Sequence, residues 1–120
     1  MSFSVIVLAA GQGTRMGSSR PKVLQLLSGK PLLHHVLATC QTLMPRQILA
    51  VCGYKGELVQ QSCKEFNVDW AWQIEQRGTG HAVQAAYAHL EHTERVVVLY
   101  GDVPLITSAT LQQLLTCTPI

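Results

Sequence analysis

The tightest constraint on this chain is Val5-Ile6-Val7-Leu8, four consecutive apolar residues that stop abruptly at Ala9-Ala10-Gly11. A strand with one face in water alternates apolar and polar residues. An unbroken apolar run is stable only where both faces are covered, the condition inside a parallel sheet. Gln47 to Cys52 (QILAVC) and Arg95 to Tyr100 (RVVVLY) have the same character, and they end at Gly53 and at Gly101-Asp102. Parallel neighbours cannot be joined by tight hairpins, so such strands demand crossover segments between them.

The intervening sequence supplies these segments. Val23 to Leu27 leads into a turn at Ser28-Gly29-Lys30, and Pro31 suits a first helical position. Leu32, Leu33, Val36, Leu37, Cys40 and Leu43 recur at helical spacing, which predicts a helix over Pro31 to Leu43. A second helix is expected over Glu57 to Phe66, with Leu58, Val59, Ser62 and Phe66 on its apolar face. Asp69 to Gln73 reads as a short strand with two tryptophans, better suited to core or edge packing than to base stacking. Gly78-Thr79-Gly80 opens an alanine-rich helix over His81 to Leu90, and Ser108 can cap a last one over Ala109 to Leu115. The order βαβαβαβα places the chain in the α/β class, one domain over residues 1–120 around a parallel sheet with right-handed crossovers.

Several function classes fall away on composition. Hydrophobic residues make up 48% and charged residues 13%, enough apolar material for a core and too little charge for a disordered chain. No apolar run approaches a membrane span, and the N-terminus lacks a signal-peptide core, so a cytoplasmic location is expected. Cys40, Cys52, Cys63 and Cys117 fit no zinc spacing and read as reduced, buried thiols; the five histidines show no triad or zinc pattern and read as surface or packing residues. Charge is unevenly spread. Arg15, Arg20, Lys22, Lys30, Arg46 and Lys55 precede the first acid, Glu57, and all seven acids follow from there. That bias suits a small polyanion, while the dense basic stripe of a nucleic-acid surface is missing.

In open parallel sheets ligands lie beyond the carboxyl ends of the strands, and the unusual chemistry collects there. The first such loop holds Gly11, Gly13, Thr14, Arg15, Ser18, Ser19, Arg20, Pro21 and Lys22. Small residues let backbone N–H groups approach an anion, and the cations stand beside them, so the loop reads as a phosphate cradle. It is no dinucleotide fingerprint: Met16 occupies the third glycine position, Gly17 falls one residue late, and no acid follows for a ribose. Walker A fails too, for lack of a GK[ST] ending. Arg15 and Lys22 are read as cationic clamps on a reacting phosphorus, and Arg20 as equally compatible with a surface charge. Asp102 suits a Mg²⁺ ligand shared with phosphate oxygens or, alternatively, an Asx turn before Pro104. Gln73 and Gly78-Thr79 can read a uracil edge or form an ordinary strand end and helix start.

These residues carry a resemblance. LAAGQGTRMGSSRPKVL is similar to the signature LAAGxGTRMxxxxPK of sugar and alditol nucleotidyltransferases, and QIEQRGTGHA and LYGDVPLI narrow it. Together the three segments resemble the N-terminal pyrophosphorylase domain of the bacterial bifunctional N-acetylglucosamine-1-phosphate uridyltransferase/glucosamine-1-phosphate acetyltransferase family. The resemblance implies a Rossmann-like nucleotidyltransferase fold with strand order 3-2-1-4, helices on both faces, and only the N-terminal portion of the domain. It implies UTP and N-acetylglucosamine 1-phosphate as substrates, giving UDP-N-acetylglucosamine and pyrophosphate, with Mg²⁺ as cofactor. Leu8, Ala9, Ala10 and Gly11, with Gly13 and Thr14, would line the nucleotide, and Arg15 and Lys22 would contact its phosphates. Gln73, Gly78 and Thr79 would face uracil; Tyr100 and Gly101 the sugar nucleotide; Asp102 the metal. The acetyltransferase β-helix through which the family trimerises is expected to be absent, leaving a fragment whose apolar edge after the fourth strand favours self-association. A UTP-binding fragment without turnover, and another sugar, alditol or molybdopterin nucleotidyltransferase, stand as alternatives.

Overall fold

The computed structural model describes residues 3–9, 22–53, 55–72 and 95–103. Its elements are β1 (Phe3–Leu8), a 3-10 turn (Lys22–Leu24), β2 (Leu26–Leu27), β3 (Lys30–Pro31), α1 (Leu32–Thr42), β4 (Gln47–Cys52), α2 (Gly56–Ser62), β5 (Asp69–Trp72) and β6 (Arg95–Tyr100). Four strands form one sheet in the order β5-β4-β1-β6, every pair parallel. Counting the long strands along the chain, this is the expected 3-2-1-4. All six residues of β1 are buried, as its unbroken apolar run requires.

The register sorts side chains onto two faces. Val5 and Val7 align with Ile48 and Ala50 on β4 and with Val97 and Leu99 on β6. This face joins Leu33, Val36, Leu37 and Cys40 of α1 and Val59 of α2 in one buried cluster. Ile6 and Leu8 align with Leu49 and Val51 and, with Ala71 of β5, make a second cluster on the opposite face. Both described helices therefore cover the same face. That is the outcome of two right-handed crossovers taken in one direction, β1 to β4 and β4 to β5. The helices expected over 81–90 and 109–115 lie outside the described residues. At β6 the second face opens, with Val96, Val98 and Tyr100 exposed.

Three local expectations shift. Pro31 ends β3 with an extended ψ of 145° and sits at the N-cap position, so α1 starts one residue later than the sequence suggests. The cause is a hairpin: Ser28 and Gly29 both take positive φ (54° and 80°), β2 pairs with β3, and the Leu32 N–H donates to the Gln25 carbonyl at 2.9 Å. Next, α2 ends at Ser62 rather than Phe66, because Cys63 turns inward and is buried. Leu58, expected on the apolar face, is 49% exposed. Phe66 instead meets the His34 ring edge-on at 5.0 Å, and His34 Nε2 bonds the Ser62 carbonyl at 2.7 Å. His35 ties α1 to the hairpin through the Leu27 carbonyl at 2.7 Å. Both histidines thus pack helices, as expected. Cys40, Cys52 and Cys63 are free and buried; Cys117 is outside the described residues. Among the described residues no helix is long and apolar enough to cross a membrane.

Two measurements follow from these contacts. Met44 closes α1 in the left-handed region at φ 52° with 85% of its surface exposed, so Met44→Gly loses almost no packing. It should raise stability by about 0.5 kcal/mol in urea unfolding, while Met44→Ala should give no gain. Burial pushes the Cys40 thiol up from 9.0 to about 11. Folding therefore favours its protonated form, and this stabilisation is intact below pH 9.0 and is lost as pH rises toward about 11. Urea midpoints across that interval should fall less steeply in Cys40→Ala than in the parent chain.

Candidate active site at the switch point

The sheet runs from β1 outward through β4 to β5 on one side, then returns to place β6 on the other. The carboxyl ends of β1 and β6 therefore flank the topological switch point, where ligands of such folds sit. The sequence puts Leu8 and Ala9 at the first end and Tyr100, Gly101 and Asp102 at the second. Main-chain pairing continues past both strands: the Ala9 N–H donates to the Val51 carbonyl at 2.8 Å, and the Gly101 N–H to the Leu8 carbonyl at 2.9 Å. Tyr100 is half exposed, Gly101 is buried, and the Asp102 carboxylate is 28% exposed.

Lys22 reaches this point from the far side of the first loop. It begins the 3-10 turn, in which Val23 and Leu24 are buried and the Gln25 N–H returns to the Lys22 carbonyl at 3.1 Å. The turn thus fixes the Lys22 backbone and leaves its side chain in water. Lys22 Nζ lies 3.3 Å from Asp102 Oδ2. Residues 80 positions apart in sequence, each assigned to phosphate chemistry on separate grounds, stand side by side.

Gly101 explains how close the parts come. A Cβ there would lie 3.1 Å from Leu33 Cδ1, 3.1 Å from the Leu8 carbonyl oxygen and 3.3 Å from Val23 Cγ1. The 3-10 turn, the first turn of α1 and the end of β1 all press on this one position. Val23 and Leu33 are residues that motif reading passed over as site components. Helical periodicity alone marks Leu33 as buried, and nothing in the sequence marks Val23 as the wall behind Lys22.

Of the expected site residues, the structure brings together Leu8, Ala9, Lys22, Tyr100, Gly101 and Asp102. Ala10, Gly11, Gly13, Thr14, Arg15, Gln73, Gly78 and Thr79 lie outside the described residues. Among the described residues no cluster of three His, Cys, Asp or Glu side chains could hold a metal ion on its own. The donor set fits Mg²⁺ in another manner: this ion usually takes one or two carboxylates and completes its octahedron with substrate phosphates and water. Asp102 can supply one such oxygen.

Gly101→Ala tests the packing. The Leu8 carbonyl belongs to the sheet backbone and cannot move aside as a side chain would. The substitution should cost about 1–2 kcal/mol in urea unfolding, and native-state hydrogen exchange should show the Gly101 amide site losing protection.

Comparison with known proteins follows the same outline. Residues 5–119 match the model of the MobA-like NTP transferase domain. The bifunctional protein GlmU of Acidithiobacillus ferrooxidans (strain ATCC 53993 / BNL-5-31) is 50% identical over 120 residues, covering 100% of this chain and 26% of that protein. The bifunctional protein GlmU of Psychrobacter sp. (strain PRwf-1) is 49% identical over 113 residues, covering 94% of this chain and 25% of that protein. The chain spans about a quarter of the length of these curated relatives. The crystal structure of Rv0371c from Mycobacterium tuberculosis H37Rv superposes with a TM-score of 0.82 at 24% identity, over 95% of this chain and 59% of that one. Its complex with manganese superposes with a TM-score of 0.78 at 21% identity, over 96% and 58%. The match over residues 5–119, on a chain whose parallel sheet has the order 3-2-1-4, makes this protein a member of the MobA-like NTP transferase domain family.

Proposed function

We infer that the chain carries the nucleotide half of a uridylyltransferase site that joins UTP to N-acetylglucosamine 1-phosphate, releasing pyrophosphate and forming UDP-N-acetylglucosamine. The observation that carries the reading is the Lys22–Asp102 pair at the switch point, within a chain half identical to bifunctional GlmU proteins along its whole length. QRGTGHA and YGDVPLI favour this substrate pair over those of cytidylyl and molybdopterin relatives. Reduced, buried thiols and a nucleotide substrate suit a cytoplasmic enzyme.

The reaction needs little covalent chemistry from the protein. The sugar phosphate is already an anion. One of its oxygens forms a bond to the α-phosphorus of UTP as the bond from that phosphorus to the β-bridging oxygen breaks, and pyrophosphate leaves with the electron pair. No proton moves, so no general base is required. Rate enhancement then comes from alignment and from neutralising charge as it gathers on the phosphates. Lys22 Nζ, held by the 3-10 turn beside Asp102, is the described cation suited to that task, and Arg15 is assigned the same role from the sequence. Mg²⁺ or another divalent ion on Asp102, when bound, adds neutralisation of the phosphate oxygens. Ala10, Gly11, Gly13 and Thr14 are assigned to the phosphate cradle, Tyr100 and Gly101 to the sugar nucleotide, and Gln73, Gly78 and Thr79 to the base.

Pyrophosphate release should require UTP, N-acetylglucosamine 1-phosphate and Mg²⁺ together. Lys22→Ala should lower kcat/KM by roughly 100-fold. Its urea midpoint should stay close to that of the parent chain, because the exposed pair contributes little to folding. Preference for CTP or GTP would overturn the substrate assignment. UTP binding in calorimetry without any turnover would favour a binding role for these residues.

A further inference from the structure

Lys22 and Asp102 have separate partners in the proposed reaction, phosphate oxygens for the ammonium and a divalent ion for the carboxylate. In the structure each is the other's partner, at 3.3 Å. With side-chain exposures of 55% and 28%, this is a hydrated pair of the kind that stabilises a fold only slightly. The two backbones, by contrast, are fixed. Buried Val23 and Leu24 anchor one side, and the Gly101 N–H on the Leu8 carbonyl anchors the residue before Asp102 on the other. The pair is thus cheap to open, and opening it moves side chains alone. A divalent ion beside an ammonium on the same carboxylate meets like-charge repulsion, so the two cations compete for Asp102.

We propose that Lys22 is an exchangeable counter-ion of Asp102. It holds the carboxylate until a nucleoside triphosphate draws the ammonium onto its phosphates, and so makes divalent-ion and nucleotide binding mutually dependent. The proposal rests on the assignment of Asp102 to a metal and Lys22 to phosphate. The coupling is reciprocal: the factor by which nucleotide tightens metal binding equals the factor by which metal tightens nucleotide binding. It also gives Lys22 an inhibitory effect toward metal alone, which a plain phosphate clamp would lack.

The test is Mn²⁺ binding to the full chain, followed by the loss of the free-ion electron paramagnetic resonance signal, first without nucleotide. Lys22→Met should bind Mn²⁺ about two- to fivefold more tightly than the parent. Lys22→Arg should stay near the parent, and Asp102→Asn should lose this binding. Adding UTP should tighten Mn²⁺ binding in the parent by more than it does in Lys22→Met. If Asp102→Asn loses the ion while Lys22→Met binds no tighter than the parent, the exchange is overturned and the metal assignment stands. If Asp102→Asn binds as the parent does, the metal assignment falls and the exchange with it. Coupling produced by CTP or GTP but not UTP would support the exchange and overturn the base assignment.

Discussion

The structure depends on β1 being buried on both faces and paired on both edges. A strand so placed can carry almost no polar side chain, and its neighbours must run parallel because the crossovers α1 and α2 need a face to cover. Once β4 lies on one edge of β1 and β6 on the other, the switch point is fixed at their carboxyl ends. The neighbouring ends follow from that: Ala9 and Gly101 leave the sheet side by side, each still held to it by a main-chain hydrogen bond. Burial of Ile6, Val5 and Val7 on two faces is therefore a functional constraint as much as a packing one.

Lys22 arrives by a different route. The residue is close to β1 in sequence yet is positioned by its own short turn, with Val23 and Leu24 driven into the cluster that holds Leu33. Hydrophobic anchoring thus sets a charge in place while its ammonium end stays exposed to water. Gly101 completes the arrangement by leaving room for three elements to close on one backbone position.

Much of this was legible in sequence because the strands obey strong rules. Gln47–Cys52 and Arg95–Tyr100 are found where their apolar runs begin and end, and the strand order follows the family pattern. The boundaries that moved did so through contacts between segments. Pro31 looks like a helix start until the Ser28-Gly29 hairpin claims it, and periodicity places Leu58 inside only if α2 runs on to Phe66, which the inward turn at Cys63 prevents. Lys22 and Asp102 were each identifiable by residue type and neighbourhood. Their proximity was not, because it depends on how β6 lies against β1, and pairing across such a sequence distance leaves no local trace.

The hydrogen bonds just beyond β1 and β6 limit what this end of the sheet can offer an anion. The amides of Ala9 and Gly101 already donate to Val51 and Leu8, so these two positions shape the end of the sheet with their backbone donors engaged. The sheet supplies the distance between the two ends, and among the described residues it is the Lys22 side chain that brings a positive charge there. Substitution at Lys22 can therefore change the charge at this end of the sheet without reopening the ladder.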